Sequence, residues 1–126
     1  MSYDYDDQNV FARILRGEIP NETVLETAHT LAFRDIRPQA PVHVLVIPKG
    51  RYVTYDHFAA AATAEEVIDF TRTVARICAD LDLAPDVGGG GYRLIANSGA
   101  DGLQEVPHMH VHILGGRPMG RMVQPA

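Results

Sequence analysis

His108-Met109-His110-Val111-His112-Ile113-Leu114 decides how this sequence folds. Polar and apolar residues alternate strictly, which predicts a β-strand over His108–Leu114. Side chains at i, i+2 and i+4 share one face of a strand, so three imidazoles line one side while Met109, Val111 and Ile113 pack on the other. A strand buried on both faces reads as a continuous apolar run, which this is not. Three chemistries compete for the imidazole row. A solvated, His-rich face is the plainest, but three such residues at period two are hard to reach by chance. A metal site is the second, since three His plus water make a catalytic zinc centre. Its geometry is poor for one ion: Cα atoms at i and i+4 stand ~13 Å apart, whereas ligand nitrogens converge to ~2 Å. Two of the three could share a metal with His43 or Glu105. The third is nucleophilic catalysis, for which imidazole, with a pKa of ~6.5, is suited near neutral pH. His110 is then the natural nucleophile, because it alone has a histidine on each side.

Working outward, the patterns predict one short helix, three strands, one long helix and two strands. Asn9–Arg16 reads as the first helix, with Asp7 as N-cap and Gly17 and Pro20 as its stop. Glu22–Glu26 and Thr30–Arg34 read as a hairpin turning at Ala28-His29, without an Asn-Gly signal. Val42–Ile47, between Pro41 and Pro48, is a strand. Thr63–Leu81 is the clearest helix: Thr63 and Glu66 form a capping box, and Val67, Phe70, Val74, Ile77, Cys78 and Leu81 make one stripe. Cys78 on that stripe is core rather than a reactive thiol. Gly88–Gly91 reads as a flexible connection; it lacks the Lys-Ser/Thr of a P-loop. Tyr92–Ala96 is a strand, and Asn97–Gly102 is a turn-rich loop. The order suggests an α+β domain built on a five-stranded, mostly antiparallel sheet with two helices. Its two edge strands invite a symmetric partner.

The chain has 126 residues, 46% of them hydrophobic, and a net charge of −5. That suits a single domain over 1–126 with a real core and excludes disorder as its main state. One cysteine excludes a disulfide framework. No apolar run approaches the ~20 residues of a membrane span. The acidic start resembles neither a secretory signal nor a transit peptide, so a cytoplasmic location is expected. The acidic balance argues against nucleic acid as a partner. Residues 1–7 are expected to be a flexible, solvated acidic tail, and 118–126 a C-terminal tail.

The triad and its flanks resemble the histidine triad family of nucleotide-binding proteins. The resemblance rests on His-φ-His-φ-His-φ-φ, where φ is apolar, and on several further stretches. Before the long helix these are Asn9-Val10-Phe11, Gly17-Glu18-Ile19-Pro20, Phe33-Arg34-Asp35-Ile36, Pro38-Gln39-Ala40-Pro41-Val42-His43 and Val46-Ile47-Pro48-Lys49. After it come Asn97, Gly102 and Gln104-Glu105-Val106, and Leu114-Gly115-Gly116-Arg117 follows the triad. Residues 8–119 are covered. The Gly-Gly-Arg exit resembles the phosphoramidase branch rather than the dinucleoside polyphosphate branch.

The resemblance implies a homodimer whose two five-stranded sheets join into one of ten strands. It implies binding of a purine nucleoside monophosphate or phosphoramidate, and P–N hydrolysis through a nucleotidyl-His110 intermediate, with no metal and no cofactor. By motif position His110 is the nucleophile, His112 contacts the phosphate and His108 braces the triad. Asp35 would accept from the ribose hydroxyls; Ile36, Phe11 and Ile14 would wall the base pocket, though each is equally explained as core. Asn97 would lie near phosphate or ribose, and His43 beside the triad as a hydrogen-bond partner. Leu103, Gln104, Glu105 and Val106 would form the phosphate loop, with backbone N–H groups as oxyanion donors. Glu105 stands where many relatives carry Ser or Thr, so its carboxyl would handle the leaving amine. Leu103 replaces an expected glycine, Pro107 removes an N–H donor at the strand entrance, and tryptophan is absent from the tail. A dinucleoside polyphosphate hydrolase, a nucleotidyltransferase or a nucleotide-binding protein with vestigial catalysis remain as alternatives.

Overall fold

Five strands pair into one antiparallel sheet of order β1-β2-β3-β5-β4. They are β1 (Thr23–Glu26), β2 (Thr30–Arg34), β3 (Val42–Pro48), β4 (Tyr92–Ile95) and β5 (Val111–Gly115). Three helices accompany them, α1 (Val10–Leu15), α2 (Tyr55–Ala61) and α3 (Ala64–Asp80), with a 3₁₀ turn at Pro85–Val87. This computed structural model describes residues 3–125; Met1, Ser2 and Ala126, which belong to the two expected tails, lie outside the described residues. No helix among the described residues is long and apolar enough to cross a membrane.

The α+β sheet is as the pattern predicted, with one helix more. Tyr55–Ala61 carries a single buried residue, Phe58, and so shows no stripe. Its start is nonetheless marked by Thr54, whose side chain accepts from the His57 N–H. The first helix is shorter than expected, and its N-cap is Asn9, not Asp7: the Asn9 side chain accepts from the Ala12 N–H at 2.9 Å. On α3 the capping box forms in full, Thr63 and Glu66 satisfying each other's backbone donors. Phe70, Ile77 and Cys78 are buried on the expected stripe. The β1–β2 turn needs no Asn-Gly because α3 holds it: Asp69 accepts from the Thr27 and Thr30 hydroxyls at 2.6 and 2.7 Å.

The sheet has two covered faces. Ala32, Val44, Val46, Met109, Val111 and Ile113 pack against α3 through Phe70, Ile77 and Cys78. Leu31, Phe33, Leu45 and Ile47 on the other face pack against Phe11 of α1. Alternation therefore assigned the faces correctly, but the imidazole side is not a solvated row: His108, His110 and His43 are all buried.

Strand β5 begins at Val111, three residues later than alternation suggested. The β3–β5 register pairs Val46 with Val111, so continuing it would set Met109 against Pro48, which has no N–H to offer. Instead the Met109 N–H donates to the Tyr52 carbonyl at 2.7 Å. The glycine run is also no loose spacer. A Cβ on Gly89 would stand 2.4 Å from the Asp82 carbonyl oxygen, and the Gly91 N–H donates to Leu83 at 2.8 Å.

Candidate active site

Each buried imidazole has its tautomer fixed by groups that can only donate or only accept. His108 is fully buried, and its Nε2 lies 2.8 Å from the Pro48 carbonyl. A carbonyl only accepts, so Nε2 carries the proton and Nδ1 a lone pair. The lone pair accepts from the Tyr5 hydroxyl at 2.6 Å. His110 Nδ1 lies 2.7 Å from the His108 carbonyl, so it is the donor and Nε2 keeps its lone pair. His43 Nδ1 accepts from the Gln39 N–H at 3.1 Å. Its Nε2 therefore carries the proton and donates to His112 Nδ1 at 2.9 Å. His112 is left with a proton on Nε2. Among the described residues two of these ring nitrogens remain uncommitted: the His110 Nε2 lone pair and the His112 Nε2–H. The two rings stand 5.1 Å apart, at 67°.

The fold places these groups by cross-strand geometry. On β3 and β5 the facing pairs are His43 with Leu114 and Leu45 with His112, so His43 and His112 are diagonal neighbours on one face. Phe11 of α1 meets the His110 ring edge-on at 5.0 Å. It fixes that ring as well as closing the core beneath it. Asp35 follows β2, and its backbone N–H donates to the His43 carbonyl at 3.0 Å. Its carboxylate lies 3.4 Å from His43 Nε2.

Burial keeps the cluster neutral. It lowers the pKa of His108 to about 4, against the raising effect of the Pro48 bond. His112 is likewise lowered to about 4, first by burial and then by His110 and His43. Burial lowers His110 too, opposed by its bond to the His108 carbonyl and by the charges of Asp35 and Glu105. His43 is lowered by burial, with Asp35 opposing. At neutral pH the His110 lone pair is therefore available. Asp35, His43 and His112 also bring three ligand-type atoms within 4.8 Å of one another. That donor set could hold a cation, but only if the His43 Nε2 proton, which now bridges to His112, is released.

The structure brings Asp35, His43, His108, His110, His112 and Phe11 together. It treats the other expected residues differently. Ile36 is not core: it is 92% exposed beside Asp35. Ile14 packs at the edge of the Phe11–Leu31–Phe33 cluster. Asn97 is half-buried in the loop after β4, with no side-chain hydrogen bond among the described residues. Gln104 is committed to the loop itself. Its amide donates to the Val53 and Val106 carbonyls at 2.6 and 3.0 Å and accepts from the Gly99 N–H, and its backbone N–H goes to Gly99. Of the four expected loop residues Leu103 to Val106, only Glu105 and Val106 have backbone N–H groups without partners among the described residues. Leu103 holds φ at +57° with its side chain 78% exposed. A β-carbon makes that conformation cost roughly 1–2 kcal/mol, which explains why a glycine is expected there.

The residues 3–7 expected to be a frayed tail lie on the domain. Tyr5 touches His108, Tyr3 stacks on His57 with centroids 4.8 Å apart, and Asp7 pairs with Arg51 at 3.5 Å. Two tyrosines in an otherwise acidic segment were the available signal. The C-terminal segment is similarly held, since Arg93 of β4 donates to the Gly120 and Arg121 carbonyls at 2.9 and 3.0 Å.

A family model for the HIT domain matches residues 16–119. The chain belongs to the HIT family. It is 52% identical over 123 residues to an uncharacterized 13.2 kDa HIT-like protein of Azospirillum brasilense, with 98% of each chain covered. It is 42% identical over 118 residues to the purine nucleoside phosphoramidase of Escherichia coli K12, covering 93% of this chain and 94% of that one. Among solved structures, a HIT family hydrolase from Clostridium thermocellum superposes with a TM-score of 0.81 at 35% identity, covering 94% of this chain and 99% of that one.

Proposed function

We propose that this HIT protein hydrolyses purine nucleoside phosphoramidates. The observation that carries the reading is the pair of uncommitted nitrogens, one bare and one protonated, on the adjacent rings of buried His110 and half-buried His112. The His110 Nε2 lone pair attacks the α-phosphorus and the P–N bond breaks. The nitrogen departs as an amine with a proton from water, leaving a nucleotidyl-His110 and a hydroxide that the proton released in the next step neutralises. A second water then attacks phosphorus, its proton passes to Glu105 or solvent, and the nucleoside monophosphate leaves with His110 restored. The His112 Nε2–H and the Glu105 and Val106 N–H groups are the donors available to the developing oxyanion. Asp35 suits a vicinal diol, and the exposed Ile36 offers an apolar surface to a base. Similarity to the Escherichia coli phosphoramidase supports this substrate class.

A homodimer is part of the same proposal. Among the described residues β4 pairs only with β5 and exposes Tyr92 and Leu94, so a second copy would extend the sheet along that edge.

The test is amine release from a fluorogenic adenosine 5′-phosphoramidate in EDTA. The wild type should turn over, while His110→Ala should lose at least about 10³-fold in kcat, as removal of a covalent nucleophile does, yet still bind AMP. Equal turnover by the variant would refute the nucleophile. Wild-type turnover only on dinucleoside polyphosphates, or binding with no turnover, would refute the substrate class.

A further inference from the structure

Residues 3–7 cross the domain as a strap pinned at both ends. The Tyr3 hydroxyl donates to Asp56 at 2.5 Å, and its ring stacks on His57. At the other end the Asp7 carbonyl accepts from the Arg16 guanidinium at 2.7 Å. Between them the Arg51 guanidinium sits 5.0 Å over the Tyr5 ring. Tyr5 meets the His108 ring edge-on, with centroids 5.6 Å apart.

We propose that Tyr5 is a positioning residue, whose hydroxyl holds His108 so that the His108 carbonyl keeps His110 in the tautomer with a bare Nε2. The chain of contacts runs without a gap. The Tyr5 hydroxyl donates to His108 Nδ1, His108 Nε2 donates to Pro48, and the His108 carbonyl accepts from His110 Nδ1. Among the described residues no other group serves the His108 Nδ1 lone pair. Without the hydroxyl, a fully buried acceptor stands unpaired, which the surroundings relieve by letting the ring turn or water enter. Either movement shifts the carbonyl that fixes His110. Phe11 holds the His110 ring in plane but donates to nothing, so it cannot make this selection.

The proposal rests on the phosphoramidase reading for its kinetic consequence, not for its structural one. Tyr5→Phe keeps the ring and the Arg51 contact and removes only the hydroxyl. Tyr3→Ala loosens the same strap without touching the triad. Two readouts are taken on the full chain: imidazole ¹⁵N–¹H spectra, which report the protonation of each ring nitrogen, and steady-state kinetics on the fluorogenic phosphoramidate. In Tyr5→Phe the His108 Nδ1 resonance should move to that of an unbonded lone pair, and a second His110 tautomer should appear. kcat should fall about tenfold, on the scale of one lost hydrogen bond in the transition-state arithmetic, with KM within about twofold. Tyr3→Ala should keep wild-type spectra and kcat. Wild-type His110 spectra in Tyr5→Phe, or an equal loss in Tyr3→Ala, would overturn the proposal. If the wild type hydrolyses no phosphoramidate, the functional reading fails, and the spectra alone still decide the role of Tyr5.

Discussion

Acid should destabilise this protein through its histidine cluster. The His108 and His112 rings are lowered to about 4 in the fold, against ~6.5 in an unfolded chain. Above pH ~6.5 both states are neutral and the groups contribute nothing to the pH dependence. As pH falls from ~6.5 to ~4 the unfolded chain binds protons that the folded chain refuses, so stability is lost with falling pH. Below about 4 the loss is complete. Between pH 7 and 5 the fully buried His108 should cost about 2 kcal/mol at 1.36 kcal/mol per unit, and the half-buried His112 less, because solvent screens its charged form. His110 and His43 are lowered as well and add in the same direction. Against a total of about 5–15 kcal/mol for a typical domain, that is a large share. Glu66 and Asp69, which hydrogen bonds hold below their ordinary values in spite of burial, lose their contribution only at lower pH.

The assay is urea unfolding followed by far-ultraviolet circular dichroism at pH 7, 6 and 5, with the free energy at each pH from linear extrapolation. The expected result is a steady fall with an uptake of about two protons on unfolding. His112→Asn, which removes one of the four titrating rings, should lessen the slope. A change below about 1 kcal/mol from pH 7 to pH 5 would refute the claim that the fold holds the histidine cluster neutral.

Two further outcomes follow from the geometry. His43→Leu leaves His112 Nδ1 without its donor and should lower kcat about ten- to a hundredfold in the phosphoramidate assay, while His43→Gln, whose amide can still donate, should recover part of it. Gly89→Ala should cost more than about 2 kcal/mol in the same urea measurement, because its Cβ would meet the Asp82–Leu83 backbone at 2.4 Å; Gly90→Ala, with nothing within 4 Å of the added carbon, should stay within about 0.5 kcal/mol.

What was legible in the sequence was whatever repeats locally. The period of two at 108–114 assigned both faces of β5, and the period of 3.6 at 63–81 found α3 and its buried stripe. Features that depend on remote partners were not legible. The start of β5 is set by the Tyr52 carbonyl, more than fifty residues away, and by Pro48 on the neighbouring strand. α2 escaped because one buried Phe58 makes no pattern. At the site, spacing named the imidazoles, but only the Pro48, His108 and Gln39 backbone groups decide which nitrogen is bare. Gln104 looked like a ligand by position, yet both ends of its amide are spent on carbonyls and an N–H of its own neighbourhood. Tyr5 stands 103 residues from His108 in sequence, and no short-range pattern carries such a contact.

The acid lability and the availability of the His110 lone pair have one cause. A solvated histidine with a pKa of ~6.5 is about a quarter protonated at pH 7 and presents its two tautomers together. Burying His110 under Phe11, with its Nδ1–H on the His108 carbonyl, removes both losses at once: the ring is neutral and only Nε2 is bare. The same desolvation makes protonation of the folded state unfavourable, which the unfolded chain exploits at low pH. A variant that relieves the acid sensitivity by opening the cluster to water should therefore lose selectivity between the His110 nitrogens. A variant that relieves it by supplying a carboxylate should instead favour imidazolium and withdraw the lone pair. Neither route separates acid stability from nucleophilicity, because both quantities measure how strongly this pocket prefers the neutral ring.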